Sequence, residues 1–209
     1  MRGTFENGNT SVLLVTHSMG SIMTLYFLNH QTQVWKDKYV RSFISIAGVW
    51  GGTARAVKVF ALGDNLDSWF LNEENLLWER TNPSLAWLMP AAGFWGEDEV
   101  LVQTEEQNYT RTNLADFFYA LEGPNMGHMV EDTKDLLAGL KAPGVEVFCS
   151  HGSKVDTTER LVYPAGAFPT NRTVTGKEGG QFWPFPSGDP KLIKGDGDGT
   201  VNIRSLEVC

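Results

Sequence analysis

The pattern of apolar and polar positions near the start of the chain predicts a strand, a helix and a second strand. Residues 12–15 form an apolar run, and residues 41–47 form another that ends in small residues. Between them, apolar side chains recur at the spacing of one helix face through about His30: Ile22, Leu25, Tyr26 and Leu28. We interpret residues 35–39 as a connection. A strand, a helix and a strand within about 35 residues predict a parallel βαβ unit with a right-handed crossover.

The pattern changes between residues 48 and 143. Helical spacing covers residues 114–121 and 129–140, and residues 100–103 give one weak strand pattern. Tryptophans stand among scattered glycines and prolines, at Trp50, Trp69, Trp78, Trp87 and Trp95. Taken singly, each tryptophan is expected to fill the core of an irregular lobe. Taken as a set, the tryptophans could instead line an acyl-chain tunnel or face a membrane. We interpret residues 49–143 as a cap inserted over the carboxyl edge of the sheet.

The last third of the chain returns to a strand pattern at residues 145–149 and is then rich in loops to Pro190. Residues 192–201 follow, with two aspartates between three glycines. The predicted fold class is α/β with a mostly parallel sheet. Its parts are a core with residues 1–48, the cap with residues 49–143, and late core strands with residues 144–209.

Composition fits a soluble globular protein with one substantial core. The chain has 209 residues, of which 42% are hydrophobic and 20% charged, and its net charge is -8. This charge argues against nucleic acid as a partner, because phosphate binding needs clustered Lys and Arg. No apolar run approaches the roughly 18 to 20 residues of a membrane span, and the first residues lack the apolar core of a signal peptide.

The junction of the first strand and helix has the pattern of a nucleophile elbow. An apolar strand feeds a sharp turn with Ser18 at its apex, and a helix follows. Such a turn places the serine hydroxyl at the carboxyl edge of a sheet, where the N–H of Met19 can face a developing oxyanion. The pattern predicts acyl chemistry by Ser18. Thr16 stands where Gly-x-Ser-x-Gly has its first glycine, so a strand-turn-helix with an incidental serine stays open.

A serine nucleophile of this kind is followed in sequence by an acid and then by a histidine. Asp198 fits the place of the acid, where its carboxylate would accept a hydrogen bond from the imidazole Nδ1–H. Asp196 competes for this role. The Gly-Asp-Gly-Asp-Gly run could instead bind calcium, or be an ordinary turn of solvated aspartates.

The four histidines do not supply an obvious base. His17 is next to the serine, so its side chain diverges from the hydroxyl. His30 lies near the end of the helix, and His128 lies in the cap. His151 immediately follows a strand and is the best internal candidate, although a surface or packing role suits each of the four.

Two cysteines and three acceptor triplets bear on the compartment. Cys149 and Cys209 are either two unrelated thiols or one disulfide, which would imply an oxidising lumen or the cell exterior. Asn-x-Ser/Thr triplets begin at Asn9, Asn108 and Asn171 and are consistent with glycosylation there.

Several motifs along the chain together resemble the lecithin:cholesterol acyltransferase family, and within it the lysosomal (group XV) phospholipase A2 branch. They occur in the same order over nearly the whole chain: Val15-Thr16-His17-Ser18-Met19-Gly20, Tyr26-Phe27-Leu28, Trp35-Lys36-Asp37-Lys38-Tyr39, Trp50-Gly51-Gly52, Gly63-Asp64-Asn65, Asn108-Tyr109-Thr110, Ala142-Pro143-Gly144-Val145-Glu146-Val147 and Gly195-Asp196-Gly197-Asp198-Gly199-Thr200-Val201-Asn202.

The resemblance implies a partial α/β-hydrolase fold with a cap, and a serine acyl-enzyme. Ser18 would be the nucleophile, Asp198 the triad acid and the Met19 N–H an oxyanion donor, with Cys149 and Cys209 joined as a disulfide. The implied reaction is calcium-independent phospholipid deacylation without a cofactor, with transfer of the acyl group to water or a lipid alcohol. The expected setting is a membrane surface in the lysosomal lumen or outside the cell, with glycosylation at Asn108.

The departures from the family pattern point to an incomplete enzyme. The family begins with a signal peptide, several strands, a lid and a second oxyanion donor, and its catalytic histidine lies beyond the region that matches Cys209. Gly48-Val49 differs from the family's Ala-Pro, and residues 156–183 match poorly. We therefore expect the isolated chain to be nearly inactive and poorly soluble. The alternatives are a non-catalytic lipid-binding or regulatory fragment, or a hydrolase with His151 as base.

Overall fold

A computed structural model describes residues 6–64, 78–121, 125–167, 172–174, 183–185 and 188–209. The strands in chain order are β1 Val12–His17, β2 Val40–Ile46, β3 Val102–Gln103, β4 Asn108–Tyr109, β5 Glu146–Ser150, β6 Thr157–Val162, β7 Arg172–Val174, β8 Trp183–Phe185 and β9 Lys191–Gly195. The described helices are α1 Met19–Asn29, α2 Gln33–Tyr39, α3 Ala54–Leu62, α4 Pro83–Ala86, α5 Leu114–Ala120, α6 Met126–Thr133 and α7 Ile203–Leu206.

The predicted βαβ unit is present. β1 pairs with β2 in parallel, and β5 adds to the other side of β2, also in parallel. In the shared register Ile44 lies between Val15 and Phe148. Because the three strands run in the same direction, their carboxyl ends meet at one edge of this sheet. The mixed helices and parallel strands are compatible with the predicted α/β class.

The two faces of this parallel sheet differ in what covers them. Leu28, Phe43 and Val40 are buried on the face that α1 and α2 cover, and the half-buried side chains of Leu14 and Trp35 pack against them. On the opposite face Val15 is 59% exposed and Phe148 is 51% exposed. Parallel sheets in proteins are ordinarily covered on both faces. The face that carries Val15 and Phe148 is thus an exposed apolar surface.

α2 replaces the connection that the sequence predicts at residues 35–39, so this interpretation was wrong. Thr32 caps the helix, because the backbone N–H of Trp35 donates to its hydroxyl at 3.2 Å. The rings of Trp35 and Phe27 then pack edge to face, with 5.6 Å between their centroids. The cap and this contact stabilise a helix of seven residues that hydrophobic spacing alone does not reveal.

A second sheet joins distant parts of the chain in the order β4-β3-β6-β9. β3 pairs with β6 in parallel, and β6 pairs with β9 in an antiparallel ladder. The sequence predicts loop-like structure from the residues after Ser153 to Pro190, so β6 and the antiparallel pair β7–β8 correct that expectation. β6 has polar side chains at four of its six positions, which conceals it in the apolar pattern. The proposed cap and core boundaries stay predictions.

The larger core lies around the second sheet. Phe60 of α3 packs edge to face on Phe118 of α5, and Leu161 of β6 is buried beside them. Arg80 is fully buried and donates from Nε to the carbonyl of Phe60 at 2.9 Å. Desolvation lowers the pKa of Arg80 to about 10.

The remaining helix and tryptophan predictions meet the structure in part. The predicted helix at residues 114–121 is α5, whereas the one at 129–140 corresponds to α6 and a series of turns. Trp95 is buried in the core and Trp78 is 68% exposed. Trp69 lies outside the described residues. No helix in the described ranges has the length and apolar character needed to cross a membrane.

Candidate active site

Ser18 occupies a strained turn between β1 and α1. Its backbone has φ 53° and ψ -126°, a conformation that costs a non-glycine residue about 1–3 kcal/mol. Its N–H donates to the carbonyl of Ile46 at 2.9 Å. Although Ser18 is the N-cap residue of α1, its side chain makes no capping hydrogen bond. The hydroxyl is therefore not used to hold the helix, and the turn has the geometry expected of a nucleophile elbow.

Thr16 fits the elbow although the usual pattern has glycine at this place. A Cβ atom added to Gly20 would lie 3.5 Å from the Cβ of Thr16, which is an ordinary van der Waals distance. The turn thus has room for the threonine. Met19 is the first residue of α1, and the N–H groups of a first turn have no acceptor within their helix. The Met19 N–H can accordingly donate to an oxyanion beside Ser18.

The ends of the three parallel strands bring Ser18 and Asp198 to the same edge. Beyond the Ser18–Ile46 bond, the N–H of Ala47 donates to the carbonyl of Ser150 at 2.8 Å. A Cβ atom on Gly152 would lie 3.4 Å from that of Asp198. The turn at Ser18 is thus linked to the end of β2, the end of β2 is linked to the end of β5, and Asp198 lies against the residues that follow β5.

The two oxygens of the Asp198 carboxylate have different surroundings. Oδ1 accepts hydrogen bonds from the N–H groups of Thr200 at 2.9 Å and Val201 at 2.8 Å. Among the residues that the structure describes, no donor lies on Oδ2. Oδ1 is therefore fixed by the backbone, and Oδ2 can accept a hydrogen bond from a donor such as an imidazole N–H.

Asp196 has a different position. It is exposed, and its Oδ1 accepts from the N–H of Lys154 at 2.5 Å. This bond joins the acid loop, which contains both Asp196 and Asp198, to the turn after β5. Asp196 therefore has a structural role in the loop that carries Asp198. Across the described ranges, no three His, Cys, Asp or Glu side chains are grouped to hold a metal ion.

The loop with Asp198 is anchored by residues that the sequence did not point to. Arg55 of α3 donates from Nη1 to the carbonyl of Gly199 at 3.2 Å, and from Nε to buried Asp64 at 2.7 Å. Thr53 donates its hydroxyl to the carbonyl of Thr200 at 2.7 Å. Arg55 and Thr53 come from a segment almost 150 positions earlier, so only the fold brings them to the loop.

Asn202 is the buried centre of this anchoring. Its Oδ1 accepts from the N–H of Ala54 at 3.1 Å, and its Nδ2 donates to the carbonyl of Thr158 at 2.8 Å. It thereby joins the acid loop to the start of α3 and to β6. In the sequence, its position directly after the Gly-Asp-Gly-Asp-Gly-Thr-Val motif was the signal that could have pointed to this role.

The four histidines lie in different parts of the fold. His30 Nδ1 lies 2.8 Å from the carbonyl of Tyr26, one helical turn earlier on α1. His128 of α6 contacts the hydroxyl of Tyr119 at 3.0 Å. His17 is exposed on the uncovered face of the parallel sheet. His151 is exposed beside Gly152, and no hydrogen-bond partner for its ring occurs in the described part of the chain.

Cys149 of β5 and Cys209 form a disulfide with a Cα–Cα distance of 6.1 Å. The pairing that the resemblance implied is confirmed. The disulfide links β5 of the parallel sheet to the residues after α7, and the acid loop lies within the segment that it closes. Asn108 and Asn9 are exposed, whereas Asn171 lies outside the described residues.

Comparison with known proteins decides the family. The lecithin:cholesterol acyltransferase family model matches residues 3–140 and 128–209. The chain belongs to the lecithin:cholesterol acyltransferase family. This confirms the resemblance drawn from the motifs.

Relatives within the lecithin:cholesterol acyltransferase family match almost the whole chain. It is 36% identical over 203 residues to the lysosomal phospholipase A and acyltransferase of Homo sapiens, a match that covers 95% of this chain and 44% of the relative. It is 38% identical over 200 residues to the phosphatidylcholine-sterol acyltransferase of Gallus gallus, with the same two coverages of 95% and 44%. The chain thus spans less than half the length of these relatives.

Proposed function

We propose that this chain carries the nucleophile and the acid of a phospholipid acyl hydrolase and acyltransferase that works through a serine acyl-enzyme. The observation that carries this proposal is the strained backbone of Ser18, at φ 53° in a strand-to-helix turn, with its hydroxyl free of a capping bond. The name of the human relative, lysosomal phospholipase A and acyltransferase, supports a lipid ester as substrate.

The chemistry follows from the positions of the groups at the sheet edge. Ser18 Oγ attacks the carbonyl carbon of the ester while a base takes its proton, and the Met19 N–H donates to the oxyanion. The lysophospholipid alkoxide leaves with the proton from the base, and the acyl group stays on Ser18. Water or a lipid alcohol then attacks the acyl-enzyme by the same steps in reverse. Asp198 Oδ2 orients the imidazolium formed at each stage.

We assign the base to a histidine outside these 209 residues. His30 and His128 are engaged with Tyr26 and Tyr119, and His17 lies on the uncovered sheet face. The family relatives are more than twice as long as the chain, so they have further segments that can supply a base and a second oxyanion donor. The 209 residues alone should then retain little activity.

His151 is the second candidate for the base. It is the histidine next to Gly152, whose backbone lies against Asp198. A base at His151 predicts that His151→Ala abolishes lipid hydrolysis and probe labelling in any polypeptide that contains the site. Unchanged activity of this variant would exclude it.

The proposed setting is a phospholipid surface in the lysosomal lumen or outside the cell. The disulfide between Cys149 and Cys209 is consistent with an oxidising compartment, and exposed Asn108 is accessible for glycosylation. Exposed Trp78 is a candidate contact with the lipid surface. Trp78→Ser should weaken vesicle binding without changing the labelling of Ser18 by a soluble probe.

A fluorophosphonate probe tests the proposed function. The isolated chain is compared with the full-length polypeptide, meaning the longest natural polypeptide that contains it, and with Ser18→Ala and the control Ser11→Ala. We expect strong labelling of the full-length polypeptide at Ser18, little labelling of the isolated chain, none in Ser18→Ala, and no change in Ser11→Ala. Equal labelling of the two lengths would contradict an external base. Lipid binding without labelling of either would favour the non-catalytic lipid-binding alternative.

A further inference from the structure

Three hydroxyl groups from three different elements meet beneath the elbow. Thr16 of β1 lies 3.0 Å from Ser21 of α1, measured between Oγ1 and Oγ. Ser45 of β2 donates from its Oγ to Ser21 Oγ at 2.8 Å. Ser21 and Ser45 are 0% and 1% exposed, so water does not satisfy these groups. Hydroxyl groups this deeply buried must find their hydrogen bonds within the protein.

The directions of these hydrogen bonds form a single continuous chain. Each hydroxyl has one proton to donate. Ser45 gives its proton to Ser21, which leaves the Ser21 proton for Thr16. Thr16 in turn donates to the carbonyl of Ile44 at 3.4 Å. The hydroxyl chain therefore begins and ends on β2 and passes through β1 and α1, and hydrogen bonds linked in this way strengthen one another.

The hydroxyl chain brackets Ser18. Thr16 precedes Ser18 by two positions and Ser21 follows it by three, so their mutual bond closes across the turn. Ser45 fastens this pair to β2, whose Ile46 carbonyl also accepts from the Ser18 N–H. A non-glycine residue in a strained conformation persists only where its surroundings hold it there. The hydroxyl chain is a set of side-chain bonds that does so.

Gly48 leaves the space that Ser45 needs. A Cβ atom at this position would lie 2.6 Å from Ser45 Oγ. Any larger residue at 48 would thus displace the hydroxyl that starts the chain. Glycine at position 48 is therefore needed for the Ser45 hydroxyl to reach Ser21, which in turn contacts Thr16.

We propose that Thr16, Ser21 and Ser45 are positioning residues that hold the Ser18 backbone in its reactive conformation. This inference rests on the proposed role of Ser18 as the nucleophile. Because these side chains act through the Ser18 backbone, their loss slows the attack by Ser18 and leaves ligand affinity unchanged.

Thr16→Val and Thr16→Ser test this role in the full-length polypeptide. Valine keeps the shape of threonine and removes the hydroxyl, whereas serine keeps the hydroxyl. We expect Thr16→Val to lower the maximal rate constant of Ser18 labelling by a fluorophosphonate about tenfold, with the half-saturating probe concentration unchanged. Thr16→Ser should restore most of that rate. The control is Thr133→Val, which removes a similar half-buried hydroxyl from α6 and should label like the wild type.

A second variant and a second measurement keep the outcomes distinct. Ser45→Ala removes the start of the hydroxyl chain and should also slow labelling. It serves as the test if Thr16→Val does not fold. Labelling of Thr16→Val and Ser45→Ala at the wild-type rate overturns the positioning role. No labelling of the wild type overturns the proposed function instead. In that case the three-bond coupling between the Ser18 amide and α protons, measured by NMR, should still change in Thr16→Val and not in Thr16→Ser, and an unchanged coupling overturns the inference.

Discussion

Ser18 and Ala47 adopt positive φ at neighbouring positions on the carboxyl edge of the parallel sheet, with φ of 53° and 50°. Neither residue is glycine, so each holds a conformation that its side chain disfavours. Strained backbone of this kind is concentrated at functional sites. Their N–H groups are bound to Ile46 and Ser150, which fixes the elbow before any ligand arrives. A preorganised edge does not need to reorganise when charge develops during reaction.

Asp198→Asn is the residue change that separates geometry from chemistry. Asparagine can keep the Oδ1 bonds to the N–H groups of Thr200 and Val201, but it can present an NH₂ group where Asp198 has Oδ2. That group favours the wrong imidazole tautomer. We expect phospholipid hydrolysis by the full-length polypeptide to fall about 10⁴-fold, the size of the effect in a serine protease triad. The thermal unfolding midpoint should be unchanged.

Asp196→Asn is the matched control for this prediction. Its Oδ1 bond to the Lys154 N–H can also be kept by an amide. Hydrolysis should fall less than about tenfold. A larger loss for Asp196→Asn than for Asp198→Asn would show that Asp196, and not Asp198, is the triad acid.

Glu79 gives a pH-dependent contribution to stability. Desolvation raises its pKa above 4.5, so the folded state binds the proton more tightly than the unfolded chain does. The resulting stabilisation is present below pH 4.5 and is lost as the pH rises through the folded-state pKa. Glu79→Gln cannot titrate. In urea titrations at several pH values from about 4 to 7, the stability of the wild type relative to Glu79→Gln should fall with rising pH. A constant difference would contradict this.

Sequence reasoning reaches the candidate site in part. It selects Ser18, Met19 and Asp198 from local motifs, and the fold places all three at one sheet edge. It does not select the hydroxyls of Ser21 and Ser45. Serine in a helix or a strand has no local pattern that marks it, because its partners come from elements brought together only by folding.

At the scale of elements, α3 and the acid loop form one unit through Asn202. Asn202→Ala should destabilise the chain by about 3 kcal/mol, because it leaves the Ala54 N–H and the Thr158 carbonyl buried without their partner. Urea unfolding of the full-length polypeptide measures this cost. The exposed control Asn7→Ala should change stability by less than about 0.5 kcal/mol. Equal effects of the two variants would refute the anchoring role of Asn202.

The elements themselves were predicted where apolar spacing is regular. β1, α1, β2 and β5 follow from it to within one or two residues at each end. β6 could not be predicted because it has Thr-Thr-Glu-Arg at its first four positions and is stabilised by pairing with β3, more than 50 positions earlier. Strand propensity reflects such packing more than it reflects the segment alone.

At the scale of the whole molecule, the exposed face of the parallel sheet sets the behaviour of the isolated chain. Replacing Val15 and Phe148 by threonine should reduce its self-association, measured by light scattering, because less apolar surface faces solvent. The same change should destabilise the full-length polypeptide by about 3 kcal/mol if a further segment covers this face. The exposed control Val34→Thr should do neither. Unchanged stability of the longer polypeptide would show that the face stays uncovered.

The central claim is that Ser18 carries the acyl group between its donor and its acceptor. The direct measurement is peptide mapping by mass spectrometry after the full-length polypeptide is mixed with phospholipid and quenched in acid during turnover. We predict that the peptide with Ser18 gains the mass of one acyl chain, and that Ser18→Ala neither gains this mass nor hydrolyses the lipid. An acyl group on a different residue, or lipid hydrolysis by Ser18→Ala at the wild-type rate, would contradict the claim.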